Sequence, residues 1–421
     1  MTRLALHWQI GIALLLALAA GVASGPQGAA LPLFDFLGTL FLNALKMLVV
    51  PLIVSAIING LGAVRGAALG RIGLRTLVYY ASTGLAAILT GLLFVNLLTP
   101  GIIDGEPAGR RMGLDASAAD VVRDMQDKGA GEFSKVILLL FPPNIFAAAA
   151  QGQMLGLICF SLLFGYAVSR LPEGPGRAQR EFWQGFYEVM IRLTGWVMRF
   201  APFGVFGLVA EVVAQTGWEA VRPLAVFFVT VMLGLMTHAL VTLPLVLRLV
   251  GRVSPVRHFA AMGPALTTAF STSSSAATLP VTLDCMERRA GVPRRVTSFV
   301  LPIGANVNTD GSALYECVVV MFIAQAYAGD LDVARQFVVV LGALLTGIGI
   351  AGIPSASLVG IAVILSAVGL PLEGIGLVLA VDRILDMCRT TVNVLGDSTA
   401  AVVVGRLEGE AGILGEPALR A

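Results

Sequence analysis

Ten apolar runs, near residues 8–25, 36–64, 74–99, 136–169, 184–213, 222–250, 259–283, 296–327, 337–370 and 374–404, constrain what this chain can become. About 20 apolar residues in a helix cross the hydrocarbon core of a bilayer. Within that core only helices, or a closed barrel, satisfy every backbone group. The composition agrees: 57% of the 421 residues are hydrophobic and 13% are charged, where a soluble domain carries about 25% charged. Mean hydropathy is +0.86. We read an all-α polytopic membrane protein, with the run from Trp8 to Ala23 as a first span rather than a cleaved signal. Cys159, Cys285, Cys317 and Cys388 are scattered without CxxC spacing, so neither a disulfide framework nor a zinc site is indicated. His7, His238 and His258 are too dispersed for a metal cluster, and nothing points to a nucleic-acid partner.

The arginines set the topology. They gather at Arg65, Arg71 and Arg75; at Arg170, Arg177 and Arg180; at Arg248, Arg252 and Arg257; and at Arg288, Arg289, Arg294 and Arg295. The connection at 26–34 has no Lys or Arg. Basic connections stay in the cytoplasm, so the first six runs cross in alternation from a cytoplasmic N-terminus. The seventh run has Arg-rich connections on both sides and must return as a re-entrant hairpin. Its centre, TTAFSTSSSAATLP (Thr267 to Pro280), is small, hydroxyl-rich and closed by proline. The ninth run, around GIGIAGIPSAS (Gly347 to Ser357), returns to the outside in the same way. The expected architecture is about eight spans plus two opposed hairpins, both termini cytoplasmic, in a plasma or inner membrane. Two interrupted segments in corresponding places point to inverted repeats around a transporter binding site. Residues 100–135 read as an extracellular loop and 406–421 as a cytoplasmic tail.

The last run carries the chemistry. Asp382, Asp386, Arg389, Asn393 and Asp397 follow in steps of four, three, four and four, which keeps them on one stripe of a helix. Opposite positions, such as Ile384, Leu385, Val392 and Ala400, are apolar. An ionised group at the bilayer centre costs roughly 2.5–3.5 kcal/mol on insertion scales, and persists facing a wet cavity or an opposite charge. The eighth run contains LPIGANVNTDGSALYE (Leu301 to Glu316), where Pro302, Gly304 and Gly311 make an intact helix unexpected. Freed carbonyls with Asn306, Asn308 and Asp310 would give hard oxygen ligands for a small cation, and Asp397 would complete such a site with Asn308 and Asn393.

Three motifs in order, STSSSAATLP, GANVNTDGSALYE and DRILDMCRTTVNVLGDSTA, together with LKMLVVPLIVSAIINGL (Leu45 to Leu61), resemble the dicarboxylate/amino acid:cation symporter family, the glutamate transporter homologues. The resemblance covers nearly the whole chain. It implies a homotrimer with an elevator mechanism. Residues 1–64 and 136–213 would be scaffold helices 1–2 and 4–5. Helix 3 (72–99) and residues 222–405 (helix 6, hairpin 1, broken helix 7, hairpin 2 and helix 8) would form the moving transport domain, with the outer hairpin as gate. Residue by residue, it implies that Arg389 holds the substrate's side-chain carboxylate, Asp386 its α-ammonium and Asn393 its α-carboxylate. Ser274, Ser275, Ser312, Thr390 and the backbone near Ile353 would be further contacts. Gly304, Asn308, Asn393 and Asp397 resemble one sodium site; Asn308 and Asp310 with Thr83 another; backbone groups around Gly347 to Ile350 a third. Glu316 matches the acid of proton-coupled members. Arg383, beside Asp382, together with Ser273 resembles an accessory arrangement in animal and many bacterial members.

Two positions depart from the family pattern. Thr309 stands where the family commonly has methionine, and Gly84 replaces a hydroxyl residue beside Thr83. The co-transported cation is therefore left open between Na+, H+ and both, with no other cofactor. The leading reading is a symporter for L-glutamate or L-aspartate. A C4-dicarboxylate or neutral amino acid symporter is the alternative, the first lacking an ammonium for Asp386 and the second a carboxylate for Arg389. An intramembrane enzyme is remote, because no HExxH or nucleophile set accompanies the acids, and an open channel fits less well than occluded binding.

Overall fold

The computed structural model describes residues 6–62, 71–109, 141–151, 154–216, 221–328, 331–349 and 357–415. It is built from α1 (Leu6–Ser24), α2 (Leu31–Gly62), α3 (Arg71–Leu98), α4 (Ile145–Ala150), α5 (Met154–Arg170), α6 (Glu173–Thr216) and α7 (Val221–Thr237). There follow α8 (Pro255–Thr272), α9 (Ser275–Asp284), α10 (Arg294–Val307), α11 (Asp310–Ala328), α12 (Val333–Gly349), α13 (Ser357–Val368) and α14 (Ile375–Leu407). The only strands among the described residues are the two-residue β1 (Ile102–Ile103) and β2 (Glu106–Pro107). The expected outer loop is not free at its start: Gly101 N donates to Gln325 Oε1 of α11 at 3.2 Å, and Ala108 is fully buried.

The fold is an all-α membrane fold. On α3 the residues Leu74, Val78, Leu85, Leu89, Leu93 and Leu97 are all exposed along one face, Leu97 by 70%. Such a stripe is tolerable only against lipid or another apolar surface. Among the described residues, Arg71–Leu98, Arg222–Gly251 and Arg294–Tyr327 are each long and apolar enough to cross a bilayer. The α6 helix bends by 49° between Val197 and Arg199. Pro202 explains the bend, since its ring clashes with the carbonyl four residues back and leaves it without a donor. The α7 helix runs on to Gly251 through two π-helical turns, His238–Thr242 and Leu247–Gly251, with Pro244 between them.

Two packing groups are visible. The α1, α2, α5 and α6 helices pack mainly on one another, α2 against α6 most extensively. The α3 and α7–α14 helices pack around α11 and α14. From Val318 to Ala324 every α11 side chain is fully buried. The α14 back is less lipid-facing than its pattern suggests: Ile384 is 55% exposed, but Leu385 and Ala400 are fully buried.

The seventh run is a hairpin, as its charge pattern requires. The α8 and α9 helices pack side by side and reverse at Ser273, a left-handed residue at φ 51°. Its partner pair is α12 and α13, which also pack on each other; the residues joining them, Ile353 included, lie outside the described residues. The eighth run is broken within Leu301 to Glu316, between Gly304 and Gly311. The α10 helix continues through Pro302 and Gly304 and stops at Asn308, whose ψ of 95° is extended. Gly304 and Gly311 serve close approach instead. A Cβ on Gly304 would sit 2.5 Å from Asp397 Oδ1, and one on Gly311 2.7 Å from the Arg389 carbonyl.

From the last turn of α14 onward the chain fastens several helix ends together. Arg406 Nε donates to the Gly251 carbonyl at 3.0 Å. Glu408 accepts from Arg71 at 2.9 Å and Arg75 at 2.6 Å, both on α3. Glu410 pairs with Arg295 of α10. Leu414 N donates to the Ala290 carbonyl at 2.8 Å, and the Leu414 carbonyl accepts from Arg257 of α8 at 3.1 Å.

Candidate functional site

The polar stripe of α14 is buried along its whole length: Asp382 is 4% exposed, Asp386 4%, Arg389 0%, Asn393 4% and Asp397 2%. It faces the break between α10 and α11, so that groups predicted from separate motifs meet there. Four clusters result.

The first surrounds Arg389. Its Nη1 donates to Asp382 Oδ1 at 3.0 Å and its Nη2 to Asp386 Oδ1 at 2.8 Å. Arg383 Nη1 donates to Asp386 Oδ2 at 3.3 Å. Two acids thus balance two guanidinium groups in a region without bulk water, which is the condition under which buried charge is tolerated. The guanidinium lies over the Tyr315 ring, 3.8 Å from its centre. Its Nε has no hydrogen-bond partner. An arginine with a free donor edge, flanked by an acid one turn away, can accept a carboxylate and present that acid to an ammonium group.

The second lies at the break. Asn308 Nδ2 donates to Asp397 Oδ1 at 2.9 Å and to the Asn393 carbonyl at 3.3 Å, while Asn308 Oδ1 is buried without a partner. Gly304 brings the α10 backbone against Asp397. These are the residues expected to gather around one cation, and the structure does gather them. Asn393 also reaches the next helix. Its Oδ1 accepts from Gly311 N at 2.8 Å and Ser312 N at 3.4 Å, and its Nδ2 donates to Ser312 Oγ at 3.2 Å. It therefore caps the N-terminus of α11, whose first amides have no helical acceptor.

The third is centred on Asp310. Thr83 Oγ1 lies 3.4 Å from Asp310 Oδ1, as the motif implied. A Cβ on Gly84 would lie 3.5 Å from the same oxygen, so the position that lacks its hydroxyl faces the carboxylate directly. On the other side, His238 Nε2 lies 3.2 Å from Asp310 Oδ2, both side chains being at most 1% exposed. A cavity of about 200 Å3, lined by Tyr80, Gly84, Thr309, Asp310 and Gly347 among others, opens beside it.

The fourth is Glu316, fully buried, whose Oε2 accepts from Thr346 Oγ1 of α12 at 2.7 Å and whose Oε1 has no partner.

The hairpin residues are placed less directly. Ser274 caps α9, its Oγ accepting from Ala277 N at 3.2 Å. Ser275 opens α9 and is buried, and α9 packs on α14. Thr390 is buried on α14. Ile353 lies outside the described residues.

Sequence reasoning missed three participants. Tyr315 sits in the quoted motif of the eighth run with no role read for it. His238 and His258 were set aside because they form no metal spacing. His258 Nε2 lies 3.0 Å from Ser398 Oγ, which itself donates to the Leu395 carbonyl at 2.9 Å, so the imidazole is assigned as donor. The signal that could have found them is that an imidazole inside an apolar span is costly and is kept for a partner.

The chain is 35% identical over 413 residues to the proton/sodium-glutamate symport protein of Bacillus caldotenax, covering 97% of this chain and 96% of that one. It is 36% identical over 412 residues to the proton/glutamate-aspartate symporter of Escherichia coli (strain K12), covering 96% and 93%. It is 35% identical over 415 residues to excitatory amino acid transporter 3 of Homo sapiens, covering 89% and 79%. The model of the sodium:dicarboxylate symporter family matches residues 6–407, and the chain belongs to that family.

Proposed function

We propose that the protein is a secondary active symporter that couples inward flow of a cation, Na+, H+ or both, to uptake of L-glutamate or L-aspartate. The observation that carries the substrate reading is Arg389, a fully buried guanidinium with an unpartnered Nε, held between Asp382 and Asp386. An incoming side-chain carboxylate takes the arginine's free edge and displaces Asp386 from Nη2. The released acid then receives the α-ammonium, so substrate binding exchanges one ion pair for two. A C4-dicarboxylate would leave Asp386 without that second partner.

Ser312 and Asn393 meet the α-carboxylate, with Ser274, Ser275, Thr390 and the backbone near Ile353 as further contacts. The cations sit at Gly304, Asn308, Asn393 and Asp397 and at Asp310 with Thr83. Glu316 is the proton carrier: a buried carboxyl with one hydroxyl donor and no base hydrogen-bonded to it among the described residues suits that role. Arg383 and Asp382 keep the cluster neutral. The packing of α3 with α7–α14 supports a moving transport domain against a scaffold of α1, α2, α5 and α6, with α12–α13 as the gate. We place the carrier as a homotrimer in the plasma or inner membrane, both termini cytoplasmic.

The test is uptake of radiolabelled L-aspartate and L-glutamate into proteoliposomes under a sodium or a proton gradient imposed separately, with succinate as competitor. Either gradient driving uptake supports the reading and names the cation. Strong succinate transport without amino acid uptake would overturn the role of Asp386.

A further inference from the structure

The break between α10 and α11 touches the second hairpin through one side chain. Thr309 Oγ1 donates to the carbonyl of Gly347 at 3.0 Å, in the last turn of α12. Gly347 is among the last described residues of the arm, and Thr309 ties that level of it to the break. Helical hydroxyls nearby bond back to their own helix, as Thr391 does to Met387 and Thr399 to Leu395. Thr309 stands in the non-helical break just past α10 and spends its donor on the neighbouring element. Its own carbonyl accepts from Ala313 N at 2.7 Å, which fixes it to α11.

Two further observations fit. A Cβ on Gly347 would lie 3.0 Å from Thr309 Oγ1, so a side chain there would push the hydroxyl back by a few tenths of an ångström. Both residues line the cavity beside Asp310. Two turns of α11 further on, Thr346 of α12 donates to Glu316, so the arm is held at the break and on α11 by hydroxyl bonds at two levels.

We propose that Thr309 is a positioning residue for the outer hairpin: its hydroxyl holds the first arm against the break, beside the cation cavity. The inference rests on reading α12–α13 as the gate. A carrier whose binding-competent arrangement is less populated binds its substrate more weakly by that fraction. Loosening the arm therefore raises the apparent KM before it alters turnover.

The test compares wild type with Thr309→Val, Thr309→Ser and Gly347→Ala in proteoliposomes, with sodium and proton gradients imposed together and carrier quantified by size exclusion. Thr309→Val should raise the KM for aspartate about fivefold, the size expected for one net hydrogen bond, with kcat within about twofold. Thr309→Ser should match wild type, and Gly347→Ala should raise KM. Hydrogen exchange of peptides ending α12 gives a readout that needs no substrate: faster in Thr309→Val, unchanged in Thr309→Ser. A wild-type KM and exchange rate in Thr309→Val, a fall in kcat alone, or a serine variant that behaves like valine would overturn the proposal. If the wild type moves no acidic amino acid, the functional reading fails, and the exchange measurement still decides the role of Thr309.

Discussion

Arg389 stacks on Tyr315, guanidinium carbon to ring centre 3.8 Å, with both side chains fully buried. The guanidinium meets the ring face, and the Asp382 carboxylate lies near the tyrosine hydroxyl. A desolvated cation–π contact is worth about 2 kcal/mol. Tyr315→Phe should therefore transport nearly as wild type, whereas Tyr315→Leu should raise the KM for aspartate by about 30-fold. Substrate titration of uptake separates the two.

Arg389→Lys keeps the charge but loses the fork. A single ammonium cannot satisfy Asp382, Asp386 and a substrate carboxylate at once. Removing one partner of a buried pair costs about 3–5 kcal/mol, so aspartate uptake should fall by more than about 100-fold. Normal uptake in this variant would sink the assignment of the substrate's carboxylate to Arg389.

Gly84→Ser restores an oxygen beside Asp310, and the 3.5 Å between its Cβ and Asp310 Oδ1 is ordinary contact. The variant should fold and should lower the sodium concentration that half-saturates uptake. A sodium titration identical to wild type would remove Gly84 from the cation site.

Glu316→Gln keeps an acceptor for the Thr346 hydroxyl but cannot carry a proton. Uptake driven by a proton gradient should be lost while exchange of labelled for unlabelled aspartate continues. Proton-driven uptake that survives would place the proton on another group.

Glu408, beyond the end of α14, is held below the usual carboxylate range by hydrogen bonds from Arg71, aided by the charge of Arg75. Its pKa is lowered on folding, so its stabilisation is complete above the usual carboxylate range and is lost as pH falls through the lowered value. Because Arg71 is 70% exposed, the loss in Glu408→Gln should be about 1 kcal/mol or less. Thermal unfolding of the purified protein should show the wild type ahead of the variant near about pH 7, and the gap closing as the carboxylate protonates.

The legible part of the site was the part written in local pattern. The steps from Asp382 to Asp397 demand one helix face, and an Arg-flanked serine run demands a return, so α14 and the α8–α9 hairpin followed from spacing and charge. The break near Asn308 falls in the stretch that Pro302, Gly304 and Gly311 mark, although those residues do not sit at the break itself. Gly304 and Gly311 are there because Asp397 and the Arg389 backbone come within van der Waals reach, a fact about packing partners 80 or so residues away. Tyr315 and His238 were illegible for the same reason. A tyrosine in an apolar run declares nothing until a guanidinium is found on its face, and a lone imidazole declares nothing until Asp310 is found beside it.

The fastening of helix ends by residues 406–415 has a bearing on biogenesis. Chains are made from the N-terminus, so this segment leaves the ribosome after every helix it joins. Arg71 and Arg75 wait for Glu408 across more than 330 residues of synthesis. Insertion of the helices and closure of their ends are then separate events in time. A chain ending just past α14 would keep all its described helices and leave Arg71, Arg75 and Arg295 without Glu408 and Glu410, an open joint that quality-control proteases could sample.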